Sequence, residues 1–231
     1  MLLGDGNLKE TIAVICAMES EIKFFKDTIE IKNITKICKR KVYEGEFKNY
    51  NIVFTDCGVG KVNASILTQG IIDKYNPKLV INSGIAGGLD KRLKHLDLVI
   101  GNKLTYHDFD LRLLKKYSPF VEYFKGDEKL LSKFKSILNE ETYYEGLILT
   151  GDQFIVDDCA KRKLNEKFDA LCVEMEGAAI AHTCFLNDIN FLVVRSISDL
   201  ADGSGDEDYD KFEFQAGKKA AELTLKFIET I

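Results

Sequence analysis

Thr11-Ile12-Ala13-Val14-Ile15-Cys16 runs directly into Ala17-Met18-Glu19-Ser20-Glu21, and the reading of this junction decides the fold. The first stretch is almost continuously apolar and rich in β-branched residues. That pattern suits a strand buried on both faces, not one with a wet side. Polar and acidic residues follow at once. Ser20 to Glu30 then places Ile22, Phe25 and Ile29 at helical spacing.

The same alternation repeats outward from this point. Val42 to Phe47 and Asn51 to Asp56 read as a hairpin turning at Lys48-Asn49-Tyr50. Val62 to Tyr75 reads as a helix with Ile66, Leu67 and Ile71 on one side, ended by Asn76-Pro77. Leu79 to Asn82 is a buried strand that ends in a loop from Ser83 to Gly88. Asp97 to Gly101 is a strand, and an aromatic segment without a clear period runs from Tyr106 to Phe124. Asp127 is placed to cap a helix bearing Leu130, Leu131, Phe134, Ile137 and Leu138. Strands are expected at Gly146 to Thr150, Ala170 to Glu174 and Phe191 to Ser196, with a helix from Gly177 to about Phe185. A last helix from about Tyr209 to Ile228 turns Phe212, Ala216, Ala220, Leu223 and Phe227 inward. Strands and helices in this order predict an α/β fold with helices on both faces of a sheet.

Composition narrows the function classes. The 231 residues include 45% hydrophobic residues and only two prolines, with no linker-like stretch, so one domain is expected over 1–231, with 1–10 as a short extension. The formal net charge of -5 disfavours nucleic acids and anionic membranes as partners. The N-terminus lacks the pattern of a secretory signal, and no apolar run approaches the ~20 residues of a membrane helix. A cytoplasmic protein is expected. The six cysteines form no CxxC pair and the three histidines are dispersed, so neither a metal site nor a cofactor is expected.

Chemistry concentrates where apolar strands end. Four polar segments do so: Ala17 to Glu21, Ser83 to Gly88, Val173-Glu174-Met175-Glu176-Gly177, and Val194-Arg195-Ser196-Ile197-Ser198-Asp199. Folds of this class bind ligands beyond the strand ends. Each acidic residue alone could be a helix-terminus residue. Together, three carboxylates and an arginine suit glycosidic cleavage. That reaction builds positive charge on the sugar and negative charge on the leaving group. Gly58-Val59-Gly60-Lys61 lacks the spacing and the Ser or Thr of a phosphate-binding loop, and Ser83 to Gly88 lacks the spacing of a dinucleotide fingerprint.

At these residues the chain resembles the 5′-methylthioadenosine/S-adenosylhomocysteine nucleosidases, relatives of the purine nucleoside and uridine phosphorylases. The resemblance rests on ordered blocks: Ala17 to Glu21, Gly58 to Lys61, Ala86-Gly87-Gly88, Tyr106-His107-Asp108, Gly151-Asp152-Gln153-Phe154-Ile155, Val173 to Glu176, and Ser196 to Asp199. It extends from about Thr11 to the C-terminus. It implies a single α/β domain with a central mixed sheet wrapped by helices, a homodimer, and a small-molecule partner, a 5′-thio-substituted adenosine. It also implies roles. Glu21 would activate water, and Asp199 would protonate adenine N7. Glu176 would accept the ribose hydroxyls, Arg195 would sit near the water, and Ser198 would position Asp199. Phe154 would stack on adenine, whose edge would meet the Ile155 backbone. Met18, Val59, Val173, Met175 and Tyr209 would line the pocket.

Two expectations of charge follow. Asp199 should be buried among carboxylates, and Glu176 should be held ionised by a helix N-terminus. The chain departs from its relatives at Ile85, where some carry a small or hydroxylated residue, at Tyr209, where Phe is common, and over 111–124. Its aromatics Tyr117, Phe120, Tyr123 and Phe124 serve either a dimer contact and pocket cover or plain packing. Three alternatives stay open: a phosphate-dependent phosphorylase, a silent nucleoside-binding protein, and a nucleosidase acting mainly on a related nucleoside such as aminodeoxyfutalosine.

Overall fold

The computed structural model describes residues 9–138, 141–200 and 205–231, with the side chains of 205–210 left aside. Strand β1 (Thr11–Cys16) lies in the middle of the sheet, with β4 (Tyr50–Asp56) on one side and β5 (Leu79–Gly88) on the other, both parallel to it. Ile12 to Cys16 are completely buried. A doubly covered parallel strand explains the unbroken apolar run. Helix α1 (Glu19–Thr28) follows, burying Ile22 and Phe25.

The hairpin is β3 (Arg40–Phe47) with β4, and β3 also pairs with an edge strand, β2 (Ile31–Ile37), that the sequence reading missed. Its TKI and KNI stretches leave most side chains wet; lysines and asparagine on an edge discourage pairing with other chains. Helix α2 (Lys61–Tyr75) leads into β5. Next come β6 (Leu98–Tyr106), α3 (Leu111–Lys116), β7 (Phe124–Lys125) and α4 (Glu128–Ser136), whose Asp127 cap accepts from the Leu130 N–H. The remainder is β8 (Tyr143–Thr150), α5 (Asp158–Phe168), β9 (Cys172–Glu174), α6 (Gly177–Leu186), β10 (Asn190–Asp199) and α7 (Gly205–Ile228).

The sheet is mixed, in the order β10-β6-β8-β9-β5-β1-β4-β3-β2, and β10 also pairs with β5. That extra pairing closes β5, β9, β8, β6 and β10 into a ring. One face packs on α2 and α6 through Leu67, Ile71, Ala178 and Ala181, and the other on α1, α4 and α7 through Phe25, Phe134 and Phe227. The expected α/β architecture is present. Other details differ from expectation. Ser83 to Gly88 is not a loop: it continues β5, because β10 and β9 supply a ladder on each side that overrides the low strand propensity of glycine. Likewise, the last strand runs past the expected Ser196, so that Ile197 to Asp199 belong to β10 itself. Helix α5 was missed because its sequence is mostly polar, with Leu164 and Phe168 as its only large apolar residues; Lys161 is its one fully buried side chain.

Candidate active site

Where β1, β5, β9 and β10 end, a cavity of about 340 Å³ opens. Its walls include Met18, Glu21, Val59, Phe154, Val173, Glu174, Met175, Glu176, Ser198 and Asp199. The four polar segments therefore meet. Arg195 lies just behind the wall, almost fully buried. The Ile155 side chain turns away to pack on the Leu147, Leu149 and Val173 cluster. The Tyr209 side chain falls outside the described residues.

Glu21 reaches its position because it sits in the first turn of α1 and folds back over the helix start. One carboxylate oxygen accepts from the Ala17 and Met18 N–H groups at 2.8 and 3.0 Å, and the other from Ile85 N–H at 3.0 Å. Ile85 thus serves the site with its backbone, whatever its side chain. A Cβ on Gly84 would lie 2.4 Å from the Glu21 carboxylate, so β5 must carry glycine here. Burial pushes the Glu21 pKa up, against the pull of Arg195 and the three N–H donors. A carboxylate raised in this way is better able to take a proton from water.

Glu174 had no assigned role, yet it organises the floor. It accepts from Arg195 Nη2 at 2.5 Å, from the Glu176 and Gly177 N–H groups at 3.0 and 2.6 Å, and from the Thr150 hydroxyl. It is thereby the anion at the start of α6. Arg195 Nη2 also donates to Asn82 Oδ1 at 2.5 Å, and Asn82 is pinned by Ile15 O. The available clue was Arg195 itself: a guanidinium inside an apolar strand needs a buried anion.

Glu176 receives one hydrogen bond, from Gly60 N–H at 2.8 Å. Burial, and then the Glu174 carboxylate beside it, push its pKa up to about 8. The expectation that a helix N-terminus holds it ionised is therefore corrected: Glu174 has taken that place, and its charge works against a second one. A carboxyl with a raised folded-state pKa stabilises the fold below its unfolded value, near 4.5. That contribution disappears as pH rises through the folded value. Glu176→Gln lacks this titration. Thermal melts from pH 5 to pH 9 should show wild type losing ground to the variant as pH rises. A gap independent of pH would contradict this.

Asp199 hangs from the last residue of β10. A bulge between Ile197 and Asp199 lets adjacent Ser198 and Asp199 both face the cavity, which strict alternation forbids. Ser198 Oγ donates to Oδ1 at 2.9 Å, and Lys161 Nζ donates to Oδ2 at 2.6 Å. The expected carboxylate neighbours are thus replaced at close range by a cation.

Phe154 stands at the mouth, half exposed. Its loop is tied down by an ionic knot. Lys61 Nζ bonds Asp108 at 2.7 Å, Asp108 accepts from Asp152 N–H at 2.9 Å, and Asp152 accepts from Lys61 N–H at 2.8 Å. This joins the Gly58 to Lys61, Tyr106 to Asp108 and Gly151 to Ile155 blocks around one rim. Among the described residues, no group of three His, Cys, Asp or Glu is arranged to hold a metal ion.

Comparison with known proteins fits this geometry. The model of the family described as Phosphorylase superfamily matches residues 11–229. The 5′-methylthioadenosine/S-adenosylhomocysteine nucleosidase of Staphylococcus haemolyticus is 36% identical over 227 residues, covering 95% of this chain and 100% of that one. The Neisseria meningitidis enzyme of the same name, solved in complex with methylthio-immucillin-A, superposes with a TM-score of 0.91 at 32% identity, covering 96% of this chain and 100% of that one. A futalosine hydrolase of Helicobacter pylori gives a TM-score of 0.90 at 28% identity, covering 96% and 99%. The chain belongs to the phosphorylase superfamily and, within it, to the 5′-methylthioadenosine/S-adenosylhomocysteine nucleosidases.

Proposed function

We propose that this protein hydrolyses the N-glycosidic bond of 5′-methylthioadenosine and S-adenosylhomocysteine, releasing adenine and the 5-thio-substituted ribose. The observation that carries the reading is the convergence of Glu21, Glu176 and Asp199 on one cavity. Asp199, the ion-pair partner of Lys161, carries a proton in the nucleoside complex and gives it to adenine N7 as the C1′–N9 electron pair withdraws into the base. Hydrogen bonds from the ribose hydroxyls favour the ionised form of Glu176 that burial and Glu174 oppose, and that anion stabilises the positive charge growing on the sugar more than it stabilises the neutral ground state. Glu21 takes a proton from the water that attacks C1′. Phe154 stacks on the base, the Ile155 backbone meets its edge, and Ser198 steadies Asp199. Met18, Val59, Val173 and Met175 line the pocket. Arg195 keeps the acidic floor neutralised.

Water is a better nucleophile here than phosphate. A phosphate dianion would meet Glu21, Glu174 and Glu176, while the Arg195 Nη2 that might hold it is already committed to Glu174 and Asn82. Adenine release should be the same with and without phosphate; strict phosphate dependence would instead make the protein a phosphorylase. Nucleoside binding without adenine release would make it a silent binder. A kcat/KM panel including 5′-deoxyadenosine and aminodeoxyfutalosine decides the preferred 5′ group.

The proposal takes the chain as one catalytic unit that works as a homodimer in the cytoplasm. Val62 and Ile66 on α2, Phe185 and Leu186 on α6, and Phe109, Leu113, Tyr117 and Phe120 between β6 and β7 are all large exposed apolar residues. Apolar surface on this scale supports a self-association face. Phe124 belongs instead to the core, stacked on His182. A monomer in sedimentation at micromolar concentration would refute the dimer. All six cysteines are free, in keeping with a reducing compartment.

A further inference from the structure

Lys161 is fully buried, and its ammonium is spent on two acceptors: Asp199 Oδ2 at 2.6 Å and Leu200 O at 2.8 Å. Moving an ammonium out of water costs several kcal/mol unless its partners restore what solvation gave. Anchoring α5 does not require one. Leu164 and Phe168 of the same helix already pack on the apolar cluster of Leu147, Leu149 and Val173. A buried methionine would fill the Lys161 position more cheaply. The charge must be there for what it faces.

We propose that Lys161 is a positioning residue for leaving-group protonation; the inference rests on Asp199 being the acid. Two donors, Ser198 Oγ on Oδ1 and Lys161 Nζ on Oδ2, fix the carboxyl plane between them. When the reaction runs, the Asp199 O–H bond breaks and the N7–H bond forms. The C1′–N9 electron pair passes to the purine, and a carboxylate is left behind in a buried site. The Lys161 ammonium balances that new negative charge and keeps its own protons throughout. The geometry also couples two jobs. Asp157 caps α5 by accepting from the Cys159 and Ala160 N–H groups, directly after the Phe154–Ile155 loop. One short segment thus carries both the residues assigned to the base and the partner of its acid.

The test uses two substrates and the Lys161→Met and Lys161→Arg variants. 5′-Methylthioadenosine needs its leaving group protonated. A 4-nitrophenyl 5-methylthioriboside does not, because nitrophenolate leaves as an anion. For Lys161→Met, kcat on 5′-methylthioadenosine should fall on the order of 10²-fold, in the range of an acid-base step. KM and the nitrophenyl rate should stay within about threefold, and Lys161→Arg should recover part of the loss. The ratio of the two rates does not depend on how much protein folds, so a poorly folding variant still gives an answer. Equal loss on both substrates, or full activity on 5′-methylthioadenosine, would overturn the proposal. Asp199→Asn run alongside separates the layers: if it too spares 5′-methylthioadenosine cleavage or slows both substrates alike, the acid assignment itself fails.

Discussion

Asp199→Asn should lower kcat for 5′-methylthioadenosine by roughly 10²–10⁴-fold, the usual contribution of a general acid. The substitution is nearly isosteric. The amide oxygen can still accept from Ser198 or from Lys161, so the side chain should stay near its place. What is lost is a proton acidic enough to reach N7. A second loss comes with it, because the Lys161 ammonium is left buried without its counter-ion. Breaking a buried pair by removing one partner typically destabilises by about 3–5 kcal/mol. A lowered Tm is therefore expected, and kcat must be measured below the melting transition. A variant that turns over at the wild-type rate would remove Asp199 from the reaction.

Glu21→Gln should cause a loss of similar size, roughly 10²–10⁴-fold in kcat, by a different route. The carboxylate accepts three backbone N–H groups on its two oxygens. An amide offers one oxygen, and its NH2 must then face at least one N–H donor. Leaving such groups unsatisfied costs about 1–3 kcal/mol, so the first turn of α1 should loosen. The chemical effect is larger: the amide cannot take the proton of the attacking water. Binding of a non-hydrolysable 5′-thio-adenosine analogue separates the two. Affinity within about tenfold of wild type with turnover abolished indicates loss of the base. Loss of both would mean that the pocket had come apart.

Much of this site could be read from the chain because its residues sit where apolar strands run out. Glu21, Glu176 and Asp199 each follow a buried run; β1, β5 and β10 run parallel and the short β9 lies antiparallel beside the end of β5, which brings these ends together. The residues that escaped notice are those whose meaning lies in a distant partner. Lys161 sits on a polar helix and Glu174 beside a more obvious glutamate. Neither announces that it will neutralise Asp199 or Arg195 across the sheet. The same limit explains the misplaced dipole argument for Glu176. The helix start was correctly located, but which of two carboxylates would occupy it depends on side-chain direction. The strand character of Ser83 to Gly88 was hidden for a related reason. Its pairing comes from β9 and β10, about 85 or more residues further along, and such non-local pairing outweighs local propensity.

A crystal structure of the Glu21→Gln variant soaked with 5′-methylthioadenosine tests the arrangement most directly. Adenine N7 should lie within hydrogen-bonding distance, ~3 Å, of the Asp199 carboxyl. The ribose hydroxyls should point to Glu176, and position 21 should face C1′. A nucleoside seated outside this cavity, or turned so that the ribose meets Asp199 and the base meets Glu176, would contradict the account.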